Sequence, residues 1–271
     1  MDSMGSGLLS KQQRQSVNLN LSAQVDEDSR ATLVMRWGRR AVRAALDAVW
    51  PPRCVLCGDA AQVDNLCPGC RIDLPKVEHG CRRCANPLPR DVARCGGCSG
   101  AEPAFDATLA ALHYRTPVDR LVHRFKFRRD LAAGLALAGT LAETVADRLA
   151  DGTLVRPQLV VPVPLHWRRS GRRGFNQAEL LARDAMRRID GPPVHDLLAR
   201  VRSTATQSAL RSGRRRANVR AAFRCSTLPP GLVHVALVDD VMTTGATLNE
   251  CARTLKHAGV ARVDAWIVTR A

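Results

Sequence analysis

The chain has 271 residues, a formal net charge of +16, 45% hydrophobic and 4% aromatic side chains. That hydrophobic share is normal for a globular core, and the length suits one ordinary domain with a smaller one. The few aromatics argue against a broad base-stacking platform, while the excess of arginine favours polyanions as partners, either nucleic acid or phosphorylated ligands. No apolar run approaches the roughly 20 residues that cross a bilayer, so no transmembrane segment is expected. The first residues lack the charged, apolar and small-residue regions of a secretory signal, and a cytoplasmic location is expected.

Residues 1–34 form a polar extension without periodicity, rich in Ser, Gln and Asp, and are expected to be disordered. From Met35, Val42, Ala45, Leu46 and Val49 fall at helical spacing until Pro51-Pro52 stops them. This predicts a basic amphipathic helix over 35–52. A membrane surface would suit it, but packing on the protein's own core is the preferred reading.

Eight cysteines follow as four Cys-x-x-Cys pairs: Cys54/Cys57, Cys67/Cys70, Cys81/Cys84 and Cys95/Cys98. A thiolate pair at this spacing holds one metal from a tight turn, and two turns complete a tetrahedral site. The residues between 53 and 104 are therefore expected to form a small module with two structural zinc sites. Disulfides would need four strained short loops and an oxidising compartment, and a redox motif needs a single pair. An iron–sulfur cluster is the alternative metal. Spacing leaves open whether neighbouring pairs combine or interleave; neighbouring pairs are the simpler choice.

Residues 105–271 alternate between strand and helix patterns, which predicts a parallel sheet with covering helices. Strands are expected at Thr108–Tyr114, Gln158–Val163, Val233–Val238 and Val263–Val268, and helices at Val118–Lys126, Leu131–Leu149, Phe175–Arg188 and Leu248–Ala258. Cys225 and Cys251 stand alone and read as packing residues.

Three segments carry chemistry. After the strand ending Val161-Pro162-Val163, the loop Pro164 to Gln177 holds Arg168, Arg169, Arg172, Arg173, Gly174, Asn176 and Gln177. A basic, glycine-containing loop at a strand end with a helix behind it is an anion site. A solvated basic loop is the plainer reading; the position at the carboxyl edge of the sheet favours function. A second basic stretch, from Arg200 to Arg220, contains Gln207, Arg211, Arg214, Arg215, Arg216 and Asn218. Its length suits a lid or a binding element as well as a solvated arginine-rich helix.

The third segment is the most informative. An uncharged, β-branched run, Val233–Val238, reads as a strand buried on both faces. It is expected to stop at Asp239 and Asp240. The loop Thr243, Thr244, Gly245, Ala246 and Thr247 follows, and then a helix. Backbone N–H groups and threonine hydroxyls there suit a phosphate, and Gly245 lets it approach the backbone. The adjacent carboxylates would repel a bare phosphate. They suit a ligand with hydroxyls or bound Mg²⁺ beside the phosphate, and a phosphorylated ribose fits.

This segment resembles the phosphoribosyl pyrophosphate (PRPP) signature of type I phosphoribosyltransferases. The resemblance implies that Asp239 and Asp240 hold the ribose hydroxyls and that Thr243 to Thr247 hold the 5′-phosphate. Over residues 35 to 271 the paired cysteines, Lys126-Phe127, Val161-Pro162-Val163-Pro164, Arg173-Gly174-Phe175-Asn176-Gln177, Gln207 with Arg216 and Asn218, and Val238-Asp239-Asp240 occur in one order. In that order they are similar to the ComF/GntX family of phosphoribosyltransferase-like proteins, which is associated with natural competence. A glycine often follows the Lys-Phe pair in that family, where this chain has Arg129.

The resemblance implies an α/β fold of the type I phosphoribosyltransferase kind, a mostly parallel sheet with flanking helices preceded by a double zinc ribbon. It implies PRPP with Mg²⁺ as ligand, Asp239, Asp240, Arg173 and Arg216 at the reacting centre, and Arg172, Arg173, Gly174, Asn176 and Gln177 around the pyrophosphate. Single-stranded DNA and DNA-uptake proteins are the implied partners. The alternative is a working transferase acting on a small-molecule acceptor without a DNA role. A sequence-specific regulator is disfavoured, because no helix-turn-helix pattern is visible.

Overall fold

Four parallel strands carry the architecture. The computed structural model describes residues 52–61, 64–165, 175–201 and 221–271, and Arg53–Ala271 form one compact unit. The polar extension and all of the amphipathic helix except Pro52 lie outside the described residues, as do 166–174 and 202–220. In chain order the elements are α1 (Pro68–Ile72), α2 (Gly96–Gly100), β1 (Ala107–His113), α3 (Val118–Arg128), α4 (Leu131–Ala150), β2 (Leu159–Pro162) and α5 (Gln177–Arg188). They continue with β3 (Leu198–Arg200), β4 (Phe223–Cys225), β5 (His234–Met242), α6 (Ala246–His257) and β6 (Arg262–Arg270). The sheet order is β1-β6-β5-β2, with each adjacent pair parallel.

The central strands are apolar on both faces because both faces are covered. Ala236 and Val238 of β5 point into a layer with α3, α4 and α5, through Leu121, Phe125, Leu137 and Leu181. Val235 and Leu237 point the other way, to Leu248, Cys251 and Leu255 of α6 and to Leu198 and Phe223. The two-residue period of the strand thus sorts one hydrophobic run into two cores. Cys251 is fully buried in the second, as its position on the helix predicted.

The two helices of the first layer meet through glycine. A Cβ on Gly134 of α4 would lie 2.5 Å from Phe125 Cε2, so only a bare backbone lets the buried ring of α3 sit there. At the end of α3, Arg129 takes the left-handed conformation, φ 55 and ψ 31, and caps the helix. A glycine would take this geometry without strain; here an arginine adopts it.

Two expectations are corrected. β5 does not stop at the acid pair. It continues through Asp239 and Asp240 to Met242, because β6 pairs with it beyond that point, Asp239 with Ile267, Val241 with Thr269 and Met242 with Arg270. The short antiparallel pair β3–β4, with Arg200 opposite Phe223, was not foreseen. It brackets the basic stretch at 202–220.

The cysteine-rich segment closes the sheet edge. The link between its two halves runs antiparallel to β1, with Lys76 bridged to Leu112. Val77 N donates to Ala111 O at 3.1 Å and His113 N to Pro75 O at 2.8 Å. An edge strand that would otherwise expose its N–H and C=O groups is thereby covered. The first half docks on α3 and α4: Arg124 Nη1 donates to Val55 O at 2.6 Å, and Arg71 bridges Asp64 and Glu143. The second half is held by Arg83, whose guanidinium donates to Asp106 O and Pro103 O, both at 2.9 Å.

Replacing Gly134 by Val should force Phe125 out of its site. We expect a loss of about 1–3 kcal/mol, read as a lower midpoint in chemical denaturation with an unchanged slope.

Candidate functional site

The acid pair lies near the carboxyl end of β5, where open α/β sheets bind ligands. Successive residues of a strand face opposite sides, so the two carboxylates have different surroundings. Asp240 is 7% exposed and pairs with Lys126 of α3, Nζ to Oδ1, at 2.9 Å. Its carbonyl accepts from Thr269 Oγ1 at 2.9 Å. Asp239 is half-buried and its Oδ1 accepts from the Asp240 N–H at 2.9 Å. Burial pushes the Asp239 carboxyl up to about 7, and the charge of Asp240 adds to that; Lys126, the Asp240 N–H and Arg200 oppose it. One carboxylate is thus paired with a lysine, while its neighbour titrates near neutrality.

The loop after β5 turns on Gly245. It stands at φ 70 and forms the N-cap of α6. A Cβ there would meet the flexible end of Met242, Cε at 2.6 Å, in addition to the left-handed strain, so glycine is favoured. The loop puts the first turn of α6, with its N–H groups and positive dipole end, beside the acid pair. Thr244 Oγ1 accepts from Ala246 N at 3.4 Å.

Arg270, at the end of β6, fastens this loop. Its Nη1 donates to Thr243 O at 2.7 Å and Met242 O at 3.1 Å, and its Nε donates to Cys84 O at 3.1 Å. One guanidinium therefore joins the glycine loop's backbone to the second cysteine cluster. Neither Arg270 nor Lys126 was assigned to the site from sequence. Lys126 had a signal, the Lys-Phe motif; Arg270 had none.

The eight paired cysteines form two quartets of neighbouring pairs, Cys54/Cys57/Cys67/Cys70 and Cys81/Cys84/Cys95/Cys98, with all sulfurs of a quartet within 4.8 Å of one another. All are free thiols. Sγ–Sγ distances are 3.6 Å for Cys57–Cys67, 3.7 Å for Cys84–Cys95 and 3.9 Å for Cys81–Cys98. A tetrahedron with metal–sulfur bonds of about 2.3 Å places its sulfurs about 3.8 Å apart, so the quartets fit zinc. Backbone N–H groups support the ligands, Cys70 N to Cys67 Sγ at 3.4 Å and Cys95 N to Cys81 Sγ at 3.2 Å. These are two structural Cys₄ zinc-ribbon sites.

Of the second proposed anion loop, Arg168, Arg169, Arg172, Arg173 and Gly174 lie outside the described residues, and so do Gln207, Arg211, Arg214, Arg215, Arg216 and Asn218. Asn176 is the N-cap of α5: its Oδ1 accepts from Ala178 N at 3.2 Å and its Nδ2 donates to Val163 O at 3.3 Å. Gln177 is buried in the first turn. The carboxyl ends of β2 and β5 bring Val163 beside Val238, N to O at 2.9 Å, so this loop begins next to the acid pair. No helix among the described residues is long and apolar enough to cross a membrane.

Fold and site define a double-zinc-ribbon α/β protein with a carboxylate pair and a glycine loop at its sheet edge. Comparisons with known proteins agree. Residues 45–99 match the family described as Double zinc ribbon domain. Competence protein F of Haemophilus influenzae is 35% identical over 223 residues, 81% of this chain and 97% of that one. DNA utilization protein YhgH of Escherichia coli is 33% identical over 80% of this chain and 89% of its own length. Competence protein ComFC of Bacillus subtilis is 29% identical over 73% and 80%. The chain belongs to the ComF family. Trypanosoma cruzi hypoxanthine phosphoribosyl transferase is matched at 16% identity and a TM-score of 0.33, over 50% of this chain and 72% of that one, a likeness too slight to carry weight.

Protein purified without chelator should hold about two zinc ions per chain, and Cys95→Ser should lower this to about one. Elemental analysis reads both; metal-free protein with eight free thiols would refute the assignment.

Asp239 sets a pH dependence. Its folded pKa of about 7 lies above the ordinary 3.8, so the stability it allows is complete below pH 3.8 and is lost as pH rises through 7. Asp239→Asn should therefore gain stability over the parent as pH rises from 3.8 to about 7. We expect about 2 kcal/mol, the full linkage being halved for the solvent that reaches a half-buried carboxyl. Parallel stability–pH curves for the two proteins would contradict it.

Proposed function

We propose that the carboxyl edge of the sheet binds PRPP with Mg²⁺ and that the protein handles single-stranded DNA during DNA uptake. One observation carries the first half: a carboxylate pair, one member locked to Lys126 at 2.9 Å, stands in the same strand–loop–helix unit as a left-handed glycine loop at a helix N-terminus. Carboxylates accept hydrogen bonds from vicinal hydroxyls. Loop N–H groups and the hydroxyls of Thr243, Thr244 and Thr247 donate to a phosphate, with Gly245 and Ala246 forming the close approach. A ribose 5-phosphate satisfies both demands at once. Asp239, with its raised pKa, binds hydroxyls as acceptor once ionised, and binding of the sugar or of a cation favours loss of its proton.

Mg²⁺ arriving with PRPP supplies neutralisation of the pyrophosphate oxygens. In this reading Arg172 and Arg173, with Gly174, Asn176 and Gln177 framing their loop, and Arg216 from the second basic stretch receive the remaining charge. As the bond from the anomeric carbon to pyrophosphate breaks, the positive charge on the carbon would be met by the carboxylates of Asp239 and Asp240, and the negative charge on the leaving pyrophosphate by Arg173 and Arg216.

The DNA half rests on the net charge of +16 and on the names of relatives, a competence protein and a DNA utilization protein. Zinc held by eight reduced thiolates suits the cytoplasm, where DNA-uptake proteins would be the partners.

Calorimetry tests the first half. Asp239→Asn combined with Asp240→Asn should weaken PRPP–Mg²⁺ binding at least about tenfold and inorganic phosphate binding much less; equal PRPP affinity of mutant and parent would reject the site. Fluorescence anisotropy with a labelled oligonucleotide tests the second. Affinity should fall steeply with salt and depend little on sequence, because phosphate contacts dominate. No binding at low salt would reject the DNA role.

A further inference from the structure

We propose that a second cleft, at the amino edge of the sheet and separate from the acid pair, binds a nucleoside monophosphate. The cleft has a volume of about 550 Å³ and lies between the second zinc ribbon, edge strand β1 and the last turns of α4. It opens beside the first halves of β1 and β6, whereas the acid pair and glycine loop lie at the other end of the strands. Asp264 in its wall pairs with Ala236. Six residues of β5 at about 3.3 Å each separate that level from Met242, where the glycine loop begins.

Two arginines make this cleft a receiver of anions. Arg82, from the turn between Cys81 and Cys84, and Arg148, from α4, both line it. Among the described residues neither guanidinium makes an ion pair or a side-chain hydrogen bond, in contrast to Arg71, Arg83, Arg124 and Arg262, which all do. Their field is felt within the cleft. The Asp91 carboxyl is held below its usual range first by the Gly80 N–H, and then by His79, Arg148 and Arg82.

The rest of the lining specifies what accompanies the phosphate. Leu109 and Val77 give the cleft an apolar lining that suits a base, with the fully buried Trp266 packed behind it. Asp91 and Glu78 at the rim are acceptors for ribose hydroxyls, and their charge disfavours a bare polyanion. The third arginine, Arg262, is already bound to Asp264 at 3.1 and 3.0 Å, and His234 Nε2 meets the same carboxylate at 2.9 Å. That end of the cleft is neutralised internally, which leaves Arg82 and Arg148 as the phosphate grip. One guanidinium comes from the zinc ribbon and the other from the α/β layer, so a bound phosphate would tie the two together.

The test is calorimetry on the zinc-loaded full chain with adenosine 5′-monophosphate, and with adenosine and inorganic phosphate as partial probes. The background is the Asp239→Asn, Asp240→Asn protein, so that failure here is distinguishable from failure of the PRPP site. We expect the monophosphate to bind this background. Arg82→Gln with Arg148→Gln should weaken it at least about tenfold, to the level of adenosine, while zinc content stays unchanged. PRPP binding by otherwise unaltered protein carrying the two arginine substitutions should be unaffected. No binding of the monophosphate to the background, or undiminished binding after loss of both arginines, would overturn the proposal.

Discussion

Among the described residues between Arg53 and Ser99 the buried apolar ones are few: Leu66, Leu74, Ala85 and three of the ligand cysteines. Two ribbons with so little interior cannot offset the entropy of ordering their loops by apolar burial. The thiolate–metal bonds do this instead, and with them come the turns that carry Arg71 and Arg83 and the carbonyls that accept from Arg124 and Arg270. Metal coordination in this segment thus reaches the sheet edge, where the link between ribbons covers β1. It also reaches the glycine loop, because Arg270 donates to both Cys84 and Thr243. Loss of the second metal would remove an anchor of a loop that contains no cysteine.

The acid pair shows how little separates two neighbouring carboxylates in sequence and how much does so in space. Strand alternation gives Asp240 to Lys126 on one side and leaves Asp239 on the other with Cys251, Arg200 and partial solvent. Burial, and after it the charge of Asp240, then push the Asp239 carboxyl up. The same arrangement makes Asp239 costly to ionise, and in the proposed reading a cation or a sugar hydroxyl would offset that cost. Such stored cost is usual for binding sites and is tolerated because the sheet around it is fully packed.

Much of this was legible in the sequence alone, and for local reasons. Four Cys-x-x-Cys pairs state their chemistry by spacing. A β-branched run reads as a strand buried twice over, and a glycine among threonines after it reads as a turn into a helix. Each signal lies within about ten residues, the range over which periodicity and ligand spacing act. The choice between neighbouring and interleaved cysteine pairs was not legible, because only the folded path of the chain settles it.

The remainder was decided by the tertiary structure, where the partners are far apart in the chain. β5 outlasts the acid pair because β6 continues beside it, and no property of Asp239 or Asp240 predicts that. Lys126 meets Asp240 because α3 crosses the sheet edge at that height. Arg270 binds the carbonyls of Met242, Thr243 and Cys84, which meet it only when sheet and ribbon are assembled. β3 and β4 are three residues each and pair across the long basic stretch, too short to leave a periodic mark. The sequence by itself determined the chemistry of the groups; the register of non-local strand pairs and the docking of the ribbons decided which groups meet, because those are fixed by the whole packed sheet and by no local pattern.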